Sequence, residues 1–169
     1  IGAVVRVTGD SGLTTGVAVI TAINGSGSQA TVNVIIAFED VNASNAWAMS
    51  AWSDYRGWPN SVGFFEDRII YGGNLDQPGG YWASRTANLA DMRQQHYEQD
   101  SPKTVTNDDP FSFRVASSEL NMIRWLSPRK TVAIGTSGGI YLAYGPDQTL
   151  AMGPLNFTFN LESAVGAAA

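Results

Sequence analysis

A partial internal repeat, about 60 residues apart, constrains the fold of this chain more than any other feature. Residues 122–143 partly repeat the sequence pattern of residues 57–84. In both copies a strand ends in a bulky pair, a polar turn follows, and an apolar strand runs to glycine. The bulky pairs are Phe64-Phe65 and Trp125-Leu126, and the turns are Glu66-Asp67 and Ser127-Pro128-Arg129-Lys130. One antiparallel meander has too little core to be stable alone, so repeated meanders stack sheet against sheet. The echo therefore predicts two adjacent antiparallel sheets, with segments 62–65 and 122–126 in equivalent places.

Short β-branched runs separated by turn residues predict an all-β fold in two parts. Residues 1–46 form a small β-barrel-like domain with strands at 3–8, 16–23 and 31–38, and a junction follows at 47–57. Residues 58–169 form a β-propeller-like region with two related meanders, about 58–98 and 110–169. Its expected strands are 62–65, 68–72, 81–84, 111–116, 121–126, 131–136, 140–144 and 157–161. Because Ile1 is not a start methionine and the alanine-rich end has no cap, we expect a piece of a longer polypeptide.

Local sequence patterns within residues 58–169 predict two core residues, one helix and one surface loop. Phe65 and Trp125 each end an apolar strand just before a polar turn, so we expect both rings in the core. Residues 88–98 carry the one plausible helix, because Asn88 can cap it and apolar positions share one face. The polar stretch 99–109 contains Pro102 and predicts a surface loop joining the two meanders.

The composition excludes several classes of protein and site. Hydrophobic residues make up 44% of the chain and charged residues 15%, which is typical of a globular β-rich protein. The absence of cysteine excludes a disulfide scaffold and any thiolate metal site. A net charge of −5, with no Lys or Arg after Lys130, argues against a protein that grips nucleic acid through its phosphates. No apolar run approaches the roughly 18 residues that a membrane-spanning helix needs.

Two strings resemble catalytic serine motifs, but we expect a turn and no catalytic residue at either. Ser11 lies in a Gly-Asp-Ser-Gly string and would need a histidine held by a carboxylate, whereas the one histidine, His96, lies in a polar segment. Ser137 lies in a G-x-S-x-G string, which works on a strand-to-helix turn, whereas residues 140–142 continue as a strand. A hairpin turn is therefore favoured at Ser137.

The acidic residues fall in adjacent pairs at expected turns, at 39–40, 66–67 and 108–109, and no second histidine lies at ligand spacing. Neither an EF-hand pattern nor a phosphate-binding loop occurs in the sequence. We therefore expect no metal site and no cofactor, with a single calcium ion at an acidic loop as the alternative.

Four large aromatic residues cluster where the two parts meet: Trp47, Trp52, Tyr55 and Trp58. They could form a platform on which sugar rings or bases stack. Burial at a domain junction is favoured over this platform, because each ring buries about 150–250 Å². The two interpretations differ in exposure: a wall subunit buries these rings, whereas a carbohydrate-binding protein presents at least two coplanar rings to solvent.

Arg68 and Arg85 flank expected strands, and the sequence leaves their partners open. Either could pair with a nearby carboxylate such as Asp67 or Asp91. Either could instead reach a neighbouring subunit, because arginine is favoured at interfaces.

An ordered series of motifs spans roughly residues 50–165. It consists of Gly57-Trp58-Pro59, the run from Val62 to Gly73, Tyr81 to Thr86, Asp108-Asp109, Phe111 to Phe113, Ala116 to Leu126, and Gly135 to Gly139. The series resembles the central block of the tail nozzle, or tail tubular B-type, proteins of short-tailed bacteriophages and related prophages. Residues 5–38 are similar to a small β-domain that precedes this block in many such proteins. The resemblance marks these positions as a structural signature: Trp58, Pro59, Phe65, Arg68, Gly72, Ser84, Arg85, Arg124, Trp125, Gly138 and Gly139.

The resemblance implies a non-enzymatic virion protein, a β-propeller-like subunit of the tail nozzle that is made in the host bacterial cytoplasm. It implies a homo-oligomeric ring, six-fold in the family, beneath the portal and adaptor and in contact with tail fibre or spike proteins. Phage DNA passes through such a ring without specific binding, and the segment is not inserted into a membrane. The rival hypothesis is a carbohydrate-binding β-module of a phage tail or of another cell-surface-recognition protein.

Overall fold

The computed structural model describes residues 2–9, 15–93, 97–98, 101–102, 104–115, 121–146 and 151–167. It is 49% strand and 1% helix, which confirms the all-β prediction. The strands are β1 (Val4–Thr8), β2 (Thr15–Ile23), β3 (Ala30–Ile36), β4 (Trp47–Met49), β5 (Ser61–Phe65), β6 (Arg68–Gly72), β7 (Gly80–Ala83), β8 (Tyr97–Glu98), β9 (Ser101–Pro102), β10 (Phe111–Arg114), β11 (Ile123–Pro128), β12 (Val132–Thr136), β13 (Gly139–Tyr144) and β14 (Thr158–Ser163). Every expected strand is present, as β1–β3, β5–β7 and β10–β14.

The first compact unit comprises residues 1–58 and 96–103. It is built on an antiparallel sheet, sheet 1, with the strand order β3-β2-β1-β4. β4 lies in the stretch that we assigned to a junction, and it joins the sheet edge by placing Trp47 opposite Val7. β8 and β9 pair with each other as a separate ribbon, so the loop expected at 99–109 contains a short strand. The barrel-like character of residues 1–46, and the domain boundaries, stay a prediction.

The second unit, residues 59–95 and 104–169, contains two four-stranded antiparallel sheets. Sheet 2 has the order β10-β7-β6-β5, and sheet 3 has the order β11-β12-β13-β14. Both are meanders in which each strand pairs with the next strand of its own sheet along the sequence. β5 and β11 are the first, outer strands of their sheets, which confirms that segments 62–65 and 122–126 occupy equivalent places.

Sheets 2 and 3 pack against each other through β5, β6 and β11, which confirms the predicted adjacency. Glycine permits the close approach: a Cβ on Gly72 would lie 2.8 Å from Ile123 Cγ2, and a Cβ on Gly63 would lie 3.1 Å from Pro128 Cγ. Because Gly72 pairs with Ser61, the contacts follow β5 and β11 in the same direction. The β5–β6 turn and the β11–β12 turn therefore lie at the same end of the two sheets.

One apolar core is shared by sheets 2 and 3, and aromatic rings connect them. Phe113 of β10 stacks on Tyr81 of β7, with 4.6 Å between centroids, and on Phe157, with 4.8 Å. Phe159 of β14 lies 5.2 Å from Phe113 and stacks on Tyr141 at 4.8 Å. Each such ring pair contributes about 0.5–1.5 kcal/mol beyond the area it buries. The other fully or nearly buried members of the core are Phe65, Ile70, Ala83, Phe111, Val115, Ile123, Val132, Ile134, Ala143 and Met152.

The prediction of buried rings is confirmed for Phe65, which is 6% exposed, and wrong for Trp125, which is half-buried. The cause is an irregularity in β11: the pairing register shifts between Ile123 and Trp125. The extra residue turns Trp125 to the outer face of sheet 3, where it is opposite Gly135. The indole covers this glycine so closely that a Cβ at Gly135 would lie 2.1 Å from Trp125 Cε2.

The predicted helix at 88–98 is wrong, since residues 88–93 are non-helical and 97–98 form β8. The backbone is held in turns instead: the Asn88 N–H donates to the Arg85 carbonyl, and the Arg85 N–H donates to the Asp91 carbonyl. The Asp91 carboxylate also accepts the backbone N–H of Arg93. These backbone and side-chain hydrogen bonds outweigh the weak intrinsic helix propensity of this polar segment.

Candidate functional site at the turn end of sheet 2

The β5–β6 turn concentrates backbone strain at one end of sheet 2. Phe65 pairs with Arg68, so the hairpin is closed by two residues, Glu66 with φ of +49° and Asp67 with φ of +57°. Ala87, with φ of +58°, donates its N–H to the Asp67 carbonyl at 2.9 Å. Left-handed backbone costs about 1–2 kcal/mol for residues with a Cβ. Among the described residues no other non-glycine has positive φ, so the strain of this fold is gathered at one place.

A long-range hydrogen bond compensates for part of this strain. The Glu66 carboxylate accepts the backbone N–H of the buried Met152, at 2.6 Å from Oε2. Met152 lies between β13 and β14, so the bond connects the turn of sheet 2 to sheet 3.

Arg68 follows the turn and is buried, with 2% of its surface exposed. Its guanidinium donates to the backbone carbonyls of Ser84, Asn107 and Asp109, the last at 3.1 Å. Its Cζ also lies 5.5 Å from the centroid of the Phe111 ring. Burial lowers the pKa of Arg68, and nearby Asp108 opposes this effect. The guanidinium thus connects three segments of the chain, and it forms no ion pair with Asp67.

Arg85 lies beside this group and forms two ion pairs. Its Nε is 3.1 Å from Asp91 Oδ2, which is one of the pairings that the sequence left open, and its Nη2 is 2.6 Å from Asp109 Oδ1. The other Asp109 oxygen accepts the backbone N–H of Thr106 at 2.8 Å. Arg93 Nε adds a third pair, 3.0 Å from Asp91 Oδ1. The result is a partly buried alternation of cations and carboxylates.

The electrostatics of this network favour its charged form. Burial would raise the pKa of Asp91, but hydrogen bonds from Arg93 and then Arg85 outweigh burial and lower this pKa to about 2. Burial would lower the pKa of Arg85, but hydrogen bonds to Asp109 and Asp91 outweigh burial and raise it. Both residues therefore stay ionised at neutral pH, and neither is suited to exchange a proton there.

An open depression of about 600 Å³ lies at the same turn, lined by residues 64–68 with Ala87 and Leu89. Its walls include the exposed apolar side chains of Phe64 and Leu89, which are 65% and 46% exposed. Its charged rim is the exposed pair Glu66 and Asp67. The arrangement suits a cation on an apolar stem, because the stem covers the rings while the charge meets the carboxylates. Among the described residues no cluster of three or more His, Asp or Glu side chains is placed to hold a metal ion.

Four of the predicted signature residues meet here: Phe65, Arg68, Ser84 and Arg85. Ser84 is fully buried, and its hydroxyl accepts the Ile69 N–H at 3.1 Å. Sequence reasoning missed Asp109 as a partner of Arg85 and Glu66 as the acceptor for Met152, although the acidic pairs at 66–67 and 108–109 were visible as turn signals. Their role depends on contacts across the fold.

The remaining signature residues lie elsewhere. Gly72 and Trp125 are packing positions between and on the sheets, as described above. Gly138 lies against the Asn121 side chain, and a Cβ on Gly139 would lie 2.7 Å from the Ser163 carbonyl. Arg124 is exposed on β11. Trp58 is in the first unit and Pro59 begins the second.

The aromatic residues of the junction differ from the favoured prediction of burial. Trp47, Tyr55 and Trp58 are 63%, 82% and 56% exposed, and Trp52 is half-buried. The turn that carries Tyr55 is held by backbone and hydroxyl bonds: the buried Ser53 exchanges backbone hydrogen bonds with Gly57, and its hydroxyl accepts the Arg56 N–H. The Trp58 indole donates to the Asp54 carboxylate at 3.3 Å, so this ring is positioned by a hydrogen bond while it projects into solvent.

The serine strings were predicted to be turns. Ser137 lies between Thr136 and Gly139, which pair as the closing residues of the β12–β13 hairpin, so the hairpin prediction is confirmed. Its hydroxyl accepts the Met122 N–H at 3.1 Å. Ser11 and His96 lie outside the described residues.

Tyr81 combines full burial with an unpartnered hydroxyl. It is 0% exposed, and its Oη has no hydrogen-bond partner among the described residues. Burial raises its pKa. The ring stacks on Phe113, and the buried hydroxyl adds a desolvation cost.

No protein-family model matches the chain, and no curated protein matches it significantly. In the part of the chain that the structure describes, no helix has the length and apolar character needed to cross a membrane.

Proposed function

We propose that this chain is a non-enzymatic structural subunit of a phage tail nozzle, located in the virion, where a ring of copies forms the DNA ejection conduit. The observation that carries the proposal is the pair of equivalent four-stranded meanders, sheets 2 and 3, packed in the same strand direction. Repetition of such a step generates a radial stack of sheets, which is how a β-propeller-like wall is built.

The hydrogen bonds and ion pairs of the signature residues support a structural role for this chain. Arg68 donates to backbone carbonyls, Arg85 is occupied by Asp91 and Asp109, and Ser84 bonds the backbone of β6. All of these polar groups serve to hold segments of the fold together. A rigid wall subunit requires such internal bonding, and it leaves the side chains without the freedom that catalysis at this site would need.

The charge supports passive passage of DNA. With a net charge of −5 the chain has little means to neutralise phosphates, so a duplex sliding past it meets few counterion-releasing contacts. We propose that the portal or adaptor and the fibre or spike proteins are its neighbours in the tail. Host bacterial cytoplasm is the proposed place of synthesis.

Electron microscopy of the purified protein in negative stain, with mass photometry, tests this function. We expect rings with a central channel in the micrographs and, in mass photometry, one assembly mass that corresponds to a fixed number of copies. A salt titration of fluorescent duplex anisotropy accompanies it, and we expect binding weaker than about 10⁻⁴ M at physiological salt. A protein that remains monomeric, or that binds duplex tightly with a steep salt dependence, contradicts the conduit.

A second candidate is favoured by one specific observation, the exposure of Trp47, Tyr55 and Trp58. Exposed indole and phenol rings can stack on sugar rings in a carbohydrate-binding module. Glycan-array binding that is lost on Tyr55→Ala, in a protein that forms no ring, would favour this candidate. Ring formation with no glycan binding would exclude it and would make these rings a contact surface.

A further inference from the structure

We infer that the depression at the β5–β6 turn is the docking site for the β11–β12 turn, residues 129–131, of a second copy of this chain. The contact is head to tail, since one copy contributes sheet 2 and the other contributes sheet 3. The inference rests on the proposed function in one respect: a closed ring requires a head-to-tail contact.

The two turns are equivalent in the internal repeat and carry opposite charge. The β5–β6 turn presents Glu66 and Asp67, and the β11–β12 turn presents Arg129 and Lys130. All four residues are exposed. Within the described part of one chain, no ion pair involves any of the four. The charges of Asp67, Arg129 and Lys130 are thus available to a neighbouring copy, while Glu66 Oε2 already accepts the Met152 N–H of its own chain.

The order of the sheets places these charges in register. Both turns lie at the same end of their sheets because β5 and β11 run in the same direction. If sheet 2 of one copy packs on sheet 3 of the next copy in the way that the two sheets pack within one chain, the sheets form a continuous stack. Acidic and basic turns then alternate along the end of the stack that carries these turns. A symmetric contact would instead place two acidic or two basic turns together, and like charges at a contact are strongly disfavoured.

The apolar surfaces fit the same occupant. Val62 and Phe64 on the outer side of β5 are 55% and 65% exposed. The outer face of sheet 3 carries Trp125 and Ile140, both half-buried. Stacking these faces covers apolar surface as the inner faces do within one chain. The Lys130 stem would lie against Phe64 while its ammonium meets Asp67.

The strained backbone fixes the acidic turn before docking. The Phe65–Arg68 strand pair closes this turn, and the Ala87 N–H donates to the Asp67 carbonyl at 2.9 Å, so its backbone is held on both sides. A surface that is ordered beforehand loses less conformational entropy on association.

A charge exchange tests the contact. Asp67→Lys and Lys130→Asp are each expected to raise the dissociation constant of self-association at least about tenfold in sedimentation velocity. An equimolar mixture of the two variants, and the double variant, are expected to associate as the wild type does. Asp76→Lys makes the same charge change on another loop of the second unit and serves as the matched control. Asp67→Asn removes the charge with a residue that tolerates left-handed backbone, in case lysine at that position prevents folding.

The outcomes separate this inference from the proposed ring. Closed rings that are unaffected by either single exchange would overturn the contact and leave the nozzle function standing. Open chains of copies that depend on Asp67 and Lys130 would support the contact and contradict the ring. A wild-type chain that stays monomeric at about 0.5 mM would overturn the contact. Binding of a fluorescent oligolysine that is lost in Asp67→Asn, without self-association, would assign the depression to a basic partner and would also overturn it.

Discussion

Glu66 and Met152 are joined across 86 sequence positions by a hydrogen bond in which the Met152 backbone N–H donates to the Glu66 carboxylate at 2.6 Å. Glu66 holds this position with a left-handed backbone, and Met152 is fully buried. The hydrogen bond therefore links the strained end of sheet 2 to the segment between β13 and β14. Removing its acceptor measures how much this link contributes to the free energy of unfolding.

Glu66→Ala is expected to lower the free energy of unfolding by about 1–3 kcal/mol, because the buried Met152 N–H loses its acceptor. Urea denaturation measures this loss. Glu66→Gln is the control, since its side-chain oxygen can still accept, and we expect it to cost less than about 1 kcal/mol. Equal losses in the two variants would contradict the assigned bond.

Asp91 predicts an acid-sensitive component of stability. Its folded pKa of about 2 lies below the value near 3.9 of the unfolded chain. The charged network therefore stabilises the fold fully above about pH 4, and this contribution is lost as the pH falls toward about 2. Asp91→Asn is expected to be less stable by about 2 kcal/mol at pH 7 and to lack this component. Thermal melts of the wild type and of Asp91→Asn between these pH values measure this component of stability. The same pH dependence of stability in both proteins would refute the prediction.

Arg68→Met is expected to cost about 3–5 kcal/mol, because it leaves the carbonyls of Ser84, Asn107 and Asp109 without their buried donor. Arg124→Met removes an exposed arginine of the same unit and is expected to change stability by less than about 0.5 kcal/mol. Chemical denaturation of the pair measures the difference. A mild effect at Arg68 would mean that water replaces the guanidinium.

Phe65→Ala is expected to cost about 3–5 kcal/mol, since the ring is 6% exposed in the core. Its neighbour Phe64 is 65% exposed and supplies the matched control, Phe64→Ala, with an expected cost of less than about 1 kcal/mol. Soluble yield and melting temperature distinguish the two. A Phe65→Ala protein that melts normally would place Phe65 outside the core.

Tyr81→Phe is expected to leave stability unchanged or to raise it by up to about 1 kcal/mol, because the buried hydroxyl has no partner among the described residues. Tyr141→Phe is the contrast: its hydroxyl lies 3.4 Å from Asn121 Nδ2, and we expect a small loss. Calorimetry of both variants tests the sign. A clear destabilisation by Tyr81→Phe would reveal an unrecognised partner of Oη.

The strands were predictable because their signals are local. Alternating apolar residues and turn residues marked β5, β6 and β11–β13, and the echo placed β5 and β11 in equivalent positions. The rotation of Trp125 was not predictable, since it follows from a one-residue bulge in β11 that no periodicity marks. The helix expected at 88–98 failed because bonds from Arg85 and Arg93 to the Asp91 region decide that backbone.

The candidate site was predictable only in part. Arg68 and Arg85 were marked by the resemblance, and the Arg85–Asp91 pairing was among the options that the sequence offered. The acceptors of Arg68 are backbone carbonyls, which any residue supplies, so no side-chain pattern could identify them. The strain at Glu66 and Ala87 was equally hidden, because glycine or asparagine is the residue expected at such positions.

The burial of Arg68 has a consequence for synthesis on the ribosome. Its acceptors at Asn107 and Asp109 lie up to 41 positions further along the chain. Until those residues have left the exit tunnel, β5, β6 and β7 can form a nascent hairpin array, but the guanidinium must remain hydrated because an unpaired buried cation is costly. Strand β10 also arrives with this segment. Sheet 2 can therefore close only after residue 114 has left the exit tunnel, and a stall before that point would leave the nascent chain open to proteases.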